Sequence, residues 1–314
     1  METSNHTTVV NFILLGISVH SADKPFIFVL LLTMFLVSLM GNSLMIALIF
    51  IDHHLHTPMY FFLSNLSLVD LCYTSVTVPV MLINLLSEKK IISFPECITQ
   101  LYFFISLGLT EMFLLTVMAY DRYVAICNPM HYTLVMSRRV CSCLVAGCWG
   151  IASLNSIRHT IFISRLSFCG PNTIHFFFCD LPPLLGLTCS EISTYEFVLF
   201  IEASVIGLVP FLCIIISYIR IIASILKVHS AEGRRKAFYT CSSHLTVLLL
   251  YGGSTIINYF YPSSAYSLEK DVVITIMCTV VTPMLNPLIY SLRNKEVTGA
   301  LRRLIARRKC FQNI

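Results

Sequence analysis

Long runs of apolar residues recur along the chain from about residue 26 to residue 292. A bilayer core of ~30 Å requires about 20 apolar residues in a helix that rises ~1.5 Å per residue. Seven runs reach this length, and they lie at about 26–50, 59–82, 98–120, 140–163, 197–222, 238–261 and 272–292. The pattern therefore predicts an all-α membrane protein built as a seven-transmembrane helix bundle.

The composition excludes a soluble protein. Hydrophobic residues make up 56% of the 314 positions and charged residues only 12%, with a mean hydropathy of +0.80. So few charges are unable to cover the surface of a soluble domain of this size. The net charge of +5 is modest and concentrated in particular loops, so nucleic acid is not an expected partner.

The positive charges predict the orientation in the membrane. Segments 121–139, 220–237 and 293–314 hold 15 of the 21 Lys and Arg residues. Because cytoplasmic loops carry the excess of these residues, the carboxyl terminus is predicted to be cytoplasmic. An odd number of spans then places the amino terminus outside. We expect an extracellular segment 1–25, a seven-span membrane domain 26–292 and a cytoplasmic tail 293–314.

The two terminal segments carry further signals. Asn5 begins an Asn-His-Thr sequon on the predicted outside, which favours N-glycosylation. In the tail, apolar residues at helical spacing lie beside basic ones, which predicts a short amphipathic helix on the anionic inner leaflet, with membrane lipids as partners and calmodulin as the alternative. The apolar positions are Val297, Ala300, Leu301, Leu304 and Ile305. Cys310, beside basic residues, is a candidate for palmitoylation.

Four of the 13 cysteines lie on the predicted outside, where disulfides form: Cys97, Cys169, Cys179 and Cys189. Four cysteines allow three pairings, and their spacing does not choose among them. Most of the remaining cysteines lie in or beside spans and are interpreted as small apolar residues. No Cys/His group has the spacing of metal ligands, so no metal centre is predicted.

A few polar side chains lie at mid-membrane depth, where an ionisable group costs ~2.5–3.5 kcal/mol. They are Asn42, Asp70, Glu111 and Asn286, from the first, second, third and seventh spans. One interpretation is a hydrated cluster that holds a sodium ion, and the other is a structural hydrogen-bond network without a cation. Both predict that these side chains face the bundle interior. No other cofactor is expected.

Asp121-Arg122-Tyr123 ends the third span at its cytoplasmic side. Such residues serve as an interfacial anchor, or as a switch in which Arg122 pairs with Asp121 at rest. Tyr218 and Tyr290 lie near the cytoplasmic ends of the fifth and seventh spans and are candidates to exchange hydrogen bonds with Arg122. The switch would then respond to a rearrangement of the helices.

Several longer motifs point to one family. They are Gly41-Asn42, residues 55–60 (LHTPMY), 118–127 (MAYDRYVAIC), Ser217-Tyr218, 236–245 (KAFYTCSSHL) and 283–294 (PMLNPLIYSLRN). Over nearly its whole length the chain resembles the vertebrate odorant receptors of the rhodopsin-like class, and its second extracellular loop resembles the class II branch. It departs from the usual residues at Tyr239, Ser242 and Leu250.

This resemblance implies a rhodopsin-like fold with bridges Cys97–Cys179 and Cys169–Cys189. It implies coupling to the olfactory stimulatory heterotrimeric G protein, production of cyclic AMP, and a plasma-membrane location in the cilia of olfactory sensory neurons. The residues expected to act in activation and G-protein coupling are Asp121, Arg122, Tyr123, Tyr218, Asn286, Pro287 and Tyr290.

We expect a small, mostly apolar volatile molecule to bind within the bundle. The predicted contacts are Phe104, Ile105 and Gly108 on the third span, Glu202 and Ile206 on the fifth, Tyr251, Thr255 and Tyr259 on the sixth, and Cys278 and Thr279 on the seventh. Two roles remain open for Glu202, which either contacts a hydrogen-bond donor on the ligand or pairs with Arg158 or His159.

Other function classes fit less well. A transporter often shows two corresponding half-repeats, and none is visible. An enzyme would need a nucleophile with its base, or a metal constellation, and the spans carry neither, so no catalytic residues are predicted. A chemosensory receptor outside the olfactory system is the alternative that the sequence leaves open.

Overall fold

The structure is a computed structural model. It describes residues 11–16, 23–87, 90–169, 172–227, 273–293 and 295–312, together with 230, 232, 234–235, 238, 241–242 and 245–249. Asn5, Tyr251, Thr255 and Tyr259 lie outside these described residues, and so does the side chain of Cys310.

Long helices dominate the described chain. They are α1 (Lys24–Ile51), α2 (Pro58–Leu86), α3 (Phe94–Cys127), α5 (Arg138–Ser164) and α7 (Ser193–Leu226). The next apolar helical stretch, Val273–Tyr290, includes a π-helical turn at Met277–Val281 and most of α8 (Thr282–Arg293). The shorter helices are α4 (Tyr132–Val135), α6 (Leu181–Leu185) and α9 (Lys295–Gln312).

Six of these helical stretches are long and apolar enough to cross a membrane, and they coincide with the first five predicted spans and the last one. In the predicted sixth span, 238, 241–242 and 245–249 are helical. The prediction of a seven-helix bundle is therefore confirmed in its described parts.

Local signals explain where the helices begin. Pro58 opens α2, and prolines also lie in the first turns of α1 and α3, where the missing N–H leaves no hydrogen bond unmade. At the start of α3, Ser93 and Glu96 form a reciprocal capping box: the Glu96 carboxylate accepts the Ser93 N–H at 2.9 Å. This cap fixes the start of the helix that runs through the centre of the bundle.

The outward faces of the helices are apolar. Phe50 on α1 is 83% exposed and Phe197 on α7 is 66% exposed. Apolar surface on this scale is unusual on a protein in water, whereas lipid chains cover it in a bilayer. The buried apolar residues form an inner cluster around α2, α3, α7 and α8, and an outer cluster beneath the amino-terminal segment and the loop that follows α5.

A small sheet closes the outer end of the bundle, and the sequence did not predict it. Strands β1 (Asn11–Leu14), β2 (Ile91–Ser93) and β3 (Thr173–Ile174) lie in the order β2-β1-β3, antiparallel and then parallel. Phe12 of β1 is fully buried and its ring packs against Phe94 and Phe168. The segment Asn11–Leu14 is therefore part of the fold at this end of the bundle.

The two disulfide bridges are Cys97–Cys179 and Cys169–Cys189, as the resemblance implied. The first joins the outer end of α3 to the loop that follows α5. The second closes that loop on itself across 20 residues. Together with β3 they restrain the loop above the bundle.

Helix α9 is attached to the segment that joins α1 to α2 and to the start of α2. Arg303 Nη2 lies 2.7 Å from the Asp52 carboxylate, and the Tyr60 hydroxyl donates a 2.8 Å hydrogen bond to Glu296. Its apolar residues Val297 and Ala300 are buried against the inner cluster, so much of the predicted apolar face contacts protein. Ile305, at 50% exposure, points away from the bundle.

Helix α1 packs tightly against α8 at Gly41. A Cβ atom at this position would lie 2.8 Å from Cγ of Pro287, closer than real carbon contacts allow. The absence of a side chain at Gly41 thus lets Asn42, the next residue, reach the backbone of the seventh span, where its Nδ2 donates to Pro283 O at 3.0 Å.

We expect Gly41→Ala to push α1 away from Pro287 and to destabilise the receptor by about 1–3 kcal/mol, the usual cost of overpacking. The measurement is thermal unfolding of the purified receptor, with surface expression as a second readout. Gly150→Ala is the matched control, because nothing lies within 4 Å of a Cβ at this exposed helical glycine. Equal stability of the two variants would show that the contact with Pro287 does not constrain the packing.

Candidate ligand site and activation switch

A cavity of about 440 Å³ lies among α3, α5, α7, the start of α6 and the helical residues 245–249. Its wall is mostly apolar and comes chiefly from Leu, Ile, Met and Phe side chains. A volume of this size suits a small organic molecule.

Three of the predicted contact residues, Ile105, Glu202 and Ile206, lie in the cavity wall. Phe104 instead packs against Tyr73 and Phe178, and Thr279 is buried with its hydroxyl bonded to Thr275 O. Gly108 and Cys278 are not among the wall residues. The structure thus brings together the predicted contacts on α7 with one of the three on α3.

The outer part of the cavity is polar. The two carboxylate oxygens of Glu202 accept hydrogen bonds from Asn155 and Arg158, one each. Arg158 also donates to His159 Nε2 at 3.0 Å. Because a guanidinium only donates, a neutral His159 carries its proton on Nδ1, which then donates to the Tyr195 hydroxyl at 2.6 Å. Glu202 thus pairs with Arg158, which is one of the two roles left open for it, and it also lies in the cavity wall, where a ligand could reach it.

Asn155 and His159 also line the cavity, and sequence reasoning did not identify them as wall residues. They are four positions apart on α5, so they share one face of the helix. The four-residue spacing was enough to predict that Asn155 and His159 share one face of α5. The spacing did not indicate that this face of α5 would lie opposite α7.

The roof of the cavity is formed by the loop after α5, which is held firmly at several points. Cys179 is bridged to Cys97, and its N–H donates to Gln100 Oε1 at 3.0 Å. Two residues before Cys179 in the sequence, the carbonyl oxygen of Phe177 accepts a 3.1 Å hydrogen bond from Asn84 Nδ2. These contacts tie the loop to both α2 and α3.

The next residue in this loop, Asp180, is buried and lies in the cavity wall. Its Oδ1 accepts the Leu181 N–H at 2.7 Å, at the start of α6. Burial raises the pKa of the Asp180 carboxyl to about 6, against the opposing effect of the Leu181 hydrogen bond. No sequence pattern identified this acid, because a loop position alone does not indicate which way a side chain faces.

The four polar residues predicted at mid-membrane depth, Asn42, Asp70, Glu111 and Asn286, are all almost completely buried inside the bundle. Asn286 Nδ2 donates to Asp70 Oδ2 at 2.9 Å, and Glu111 lies near enough to Asp70 for the two carboxyl groups to interact. Within the part of the chain that the structure describes, five of their oxygens have no hydrogen-bond partner: Asn42 Oδ1, Asp70 Oδ1, Asn286 Oδ1 and both Glu111 oxygens.

Such a set of oxygens suits a hard cation, which prefers carboxylate and amide ligands. Two carboxyl groups in an apolar interior also require a cation, bound protons or both. The residues therefore fit both a sodium site and a structural hydrogen-bond network. In a network without a cation, the five oxygens accept no hydrogen bond from the described protein groups.

Near the carboxyl end of α3, Arg122 Nε lies 3.8 Å from Oδ2 of the buried Asp121. Asp121 Oδ1 also accepts a 2.9 Å hydrogen bond from the Tyr132 hydroxyl, a partner from α4 that sequence reasoning missed. Tyr218 and Tyr290 are both buried and lie near enough to Arg122 to interact electrostatically. The predicted switch residues are thus assembled in one place, with the half-buried Tyr123 beside them.

The pair Arg158–Glu202 gives a direct test of the polar wall. We expect Glu202→Leu and Arg158→Leu each to destabilise the purified receptor, by about 1–3 kcal/mol, because each leaves one charge unpaired at the lipid boundary. The double variant should recover most of this loss in a thermal unfolding measurement. Arg165→Leu, which removes an exposed arginine at the end of the same helix, is the control. Simple addition of the two single effects would contradict the pairing.

Comparison with known proteins agrees with this architecture. The chain matches the olfactory receptor family over residues 31–308. It is 50% identical over 310 residues to olfactory receptor 1J21 of Mus musculus, with 99% of both chains covered. It is 51% identical over 305 residues to olfactory receptor 1G1 of Gorilla gorilla gorilla, with 97% of both covered, and 48% identical over 307 residues to olfactory receptor 1F1 of Homo sapiens, with 98% of both covered.

The likeness extends over nearly the whole chain. The helices, the disulfides and the family match describe one kind of molecule, a multi-pass membrane receptor and not an enzyme. The chain belongs to the olfactory receptor family of odorant-sensing, seven-transmembrane G-protein-coupled receptors.

Proposed function

We propose that this receptor binds small, mostly apolar volatile molecules in the cavity and activates the olfactory stimulatory heterotrimeric G protein, which raises cyclic AMP. The observation that carries this proposal is the cavity of about 440 Å³, with its apolar wall and its few polar groups at one end. Such a site favours a hydrophobic molecule and orients it through one or two hydrogen bonds.

Helix α3 supplies a route from the cavity to the switch. Met112 lies in the cavity wall, and Arg122 follows ten residues later on the same helix, about 15 Å away. Tyr218 belongs both to the inner end of the cavity wall and to the surroundings of Arg122. A ligand that contacts α3 and α7 would favour one arrangement of these helices and so shift an existing equilibrium. Pro210 and Pro287, inside helices, offer places where this motion can concentrate.

In the proposed orientation the amino terminus is extracellular and the receptor lies in the plasma membrane of olfactory sensory neuron cilia. The support is the charge distribution, with most Lys and Arg at the end of the bundle that carries α9 and both disulfides at the other. Asn5 would then be available for glycosylation. The exposed Arg302 and Arg303 of α9 would contact anionic lipid headgroups.

The test is a cyclic AMP reporter in cells that express the receptor with the olfactory stimulatory Gα subunit, screened with a panel of volatile molecules. For any agonist found, Ile206→Phe should lower potency by on the order of tenfold, because it fills part of the cavity. Val205→Phe is the matched control, since Val205 is 56% exposed on the outward face of the same helix.

Two outcomes would contradict the proposal. One is an equal effect of the Ile206→Phe and Val205→Phe variants on agonist potency at equal surface expression. The other is uptake of a radioactive solute without any cyclic AMP response, which would indicate a transporter. A response confined to cells from another tissue would instead favour a chemosensory receptor outside olfaction.

We also propose that a sodium ion binds among Asn42, Asp70, Glu111 and Asn286. The support is the five partnerless oxygens in this part of the described chain, which the ion would satisfy while offsetting one carboxylate charge. A bound cation there would stabilise whichever arrangement of α1, α2, α3 and α8 keeps these oxygens together.

We expect sodium chloride, compared with choline chloride at equal ionic strength, to raise the thermal stability of the purified receptor. At a sodium concentration ten times Kd the gain would be about 1.4 kcal/mol. Asp70→Asn should abolish the difference between the two salts, whereas Asp180→Asn, which removes a buried acid outside this cluster, should keep it. No difference between the salts for the wild-type receptor would favour the network without a cation.

A further inference from the structure

Asp180 is the acid in the cavity wall that lacks a cationic partner among the described residues. The other acid in the wall, Glu202, is already bonded through both oxygens to Asn155 and Arg158. Asp180 is 7% exposed, and its Oδ1 accepts only the Leu181 N–H. Its Oδ2 has no partner in the described part of the chain. A buried carboxylate without a counter-charge is costly, so a cation that reaches it gains the energy of an otherwise unmade pair.

The position of Asp180 is fixed before any ligand arrives. The preceding residue, Cys179, is bridged to Cys97 and hydrogen-bonded to Gln100, so the backbone has little freedom. A rigid acid loses little conformational entropy when it pairs with a ligand. With its pKa raised to about 6 by burial, the carboxyl remains largely ionised near neutral pH.

Among the described residues, the charges around the cavity favour a cation and disfavour an anion. From α7 the wall presents Glu202, from α5 the neutral His159 beside the paired Arg158, and from the loop Asp180. Arg158 balances Glu202, which leaves the Asp180 carboxylate as a net negative charge. Everything inward of these groups on α3 and α7, from Leu109 to Ile214, is predominantly apolar. The wall therefore offers one negative point above a long hydrophobic surface.

We propose that Asp180 is a specificity-determining residue that pairs with the ammonium group of volatile alkylamines, whose hydrocarbon chain lies along the apolar wall. This inference rests on the proposed odorant-binding function of the same cavity and names the ligand class. The neutral alcohol of the same chain length donates a weaker hydrogen bond to Asp180, and the corresponding carboxylic acid is repelled as its anion.

The competing role for Asp180 is purely structural, as the residue that caps α6. Asp180→Asn separates the two roles, because an asparagine keeps an oxygen that can accept the Leu181 N–H and removes only the charge. If the role of Asp180 is structural, Asp180→Asn should change the potency of every agonist equally, or change none of them. A ligand-pairing role predicts a loss confined to amines.

The experiment uses n-hexylamine, 1-hexanol, hexanoic acid and 2-heptanone on the full-length receptor at matched surface expression. Cyclic AMP dose–response curves are recorded, and thermal stabilisation of the purified receptor by each compound gives an independent measure of binding. We expect hexylamine to be the most potent, and Asp180→Asn to weaken it by on the order of tenfold or more while the ketone changes little. Glu191→Gln, which neutralises an exposed acid in the same loop, is the matched control and should behave like wild type.

The outcomes distinguish this inference from the proposed function. If the ketone or the alcohol raises cyclic AMP but hexylamine neither activates nor stabilises the receptor, the amine inference is wrong and the odorant-receptor function stands. An equal loss of response to all compounds in Asp180→Asn also overturns it. If hexylamine stabilises the wild-type receptor and not Asp180→Asn, yet no compound raises cyclic AMP, the binding inference holds and the signalling proposal fails.

Discussion

The bilayer core contains no water to solvate polar groups, so each polar side chain within it needs a partner inside the protein. This constraint gathers Asn42, Asp70 and Asn286 in the interior, where one amide donates to the carboxylate and another to the backbone of the seventh span. At the outer lipid boundary it joins Arg158 to Glu202. Apolar packing fills the space between these groups without choosing among helix arrangements, because lipid and protein interiors are similarly apolar. The few polar contacts therefore fix which helix faces which.

The two ends of the bundle are built for different tasks. At the outer end, a disulfide, a three-stranded sheet and several side-chain-to-backbone hydrogen bonds hold the roof in place. At the inner end, Arg122 lies 3.8 Å from Asp121 without a close hydrogen bond between them, and the nearby tyrosines lie on other helices. A firm binding end and a loosely paired signalling end allow a small change in helix packing to be expressed at the cytoplasmic side.

The sequence alone was enough to predict the long membrane helices, because their signal is local. The length of each run of apolar residues directly predicts the length of the helix. The spans of α1, α2, α5 and α7 follow from it to within four residues at each end, whereas α3 continues seven residues beyond the predicted span, as far as Cys127. The motif resemblance added the disulfide pairs, which spacing left undecided. The depth of Asp70 and Glu111 within their spans was also sufficient to predict their burial.

Features that depend on contacts between distant segments were out of reach. Strand β1 is four residues long and exists because it pairs with two segments that lie far along the chain. Tyr132 reaches Asp121 only through the fold of the short cytoplasmic helices. The inward direction of Asp180 depends on the bridge at its neighbour, Cys179. In each case the determining partner lies elsewhere in the sequence, where local patterns carry no information about it.

The central place of β1 in the outer sheet has a practical consequence for recombinant versions of the receptor that carry epitope tags or leader peptides. Because β1 is hydrogen-bonded on both edges, a fusion joined ahead of Asn11 leaves the strand intact. A deletion that extends past Phe12 would separate β2 from β3 and uncover the aromatic residues beneath them. The amino-terminal boundary chosen for a recombinant version therefore decides whether the extracellular surface offered to antibodies is the native one.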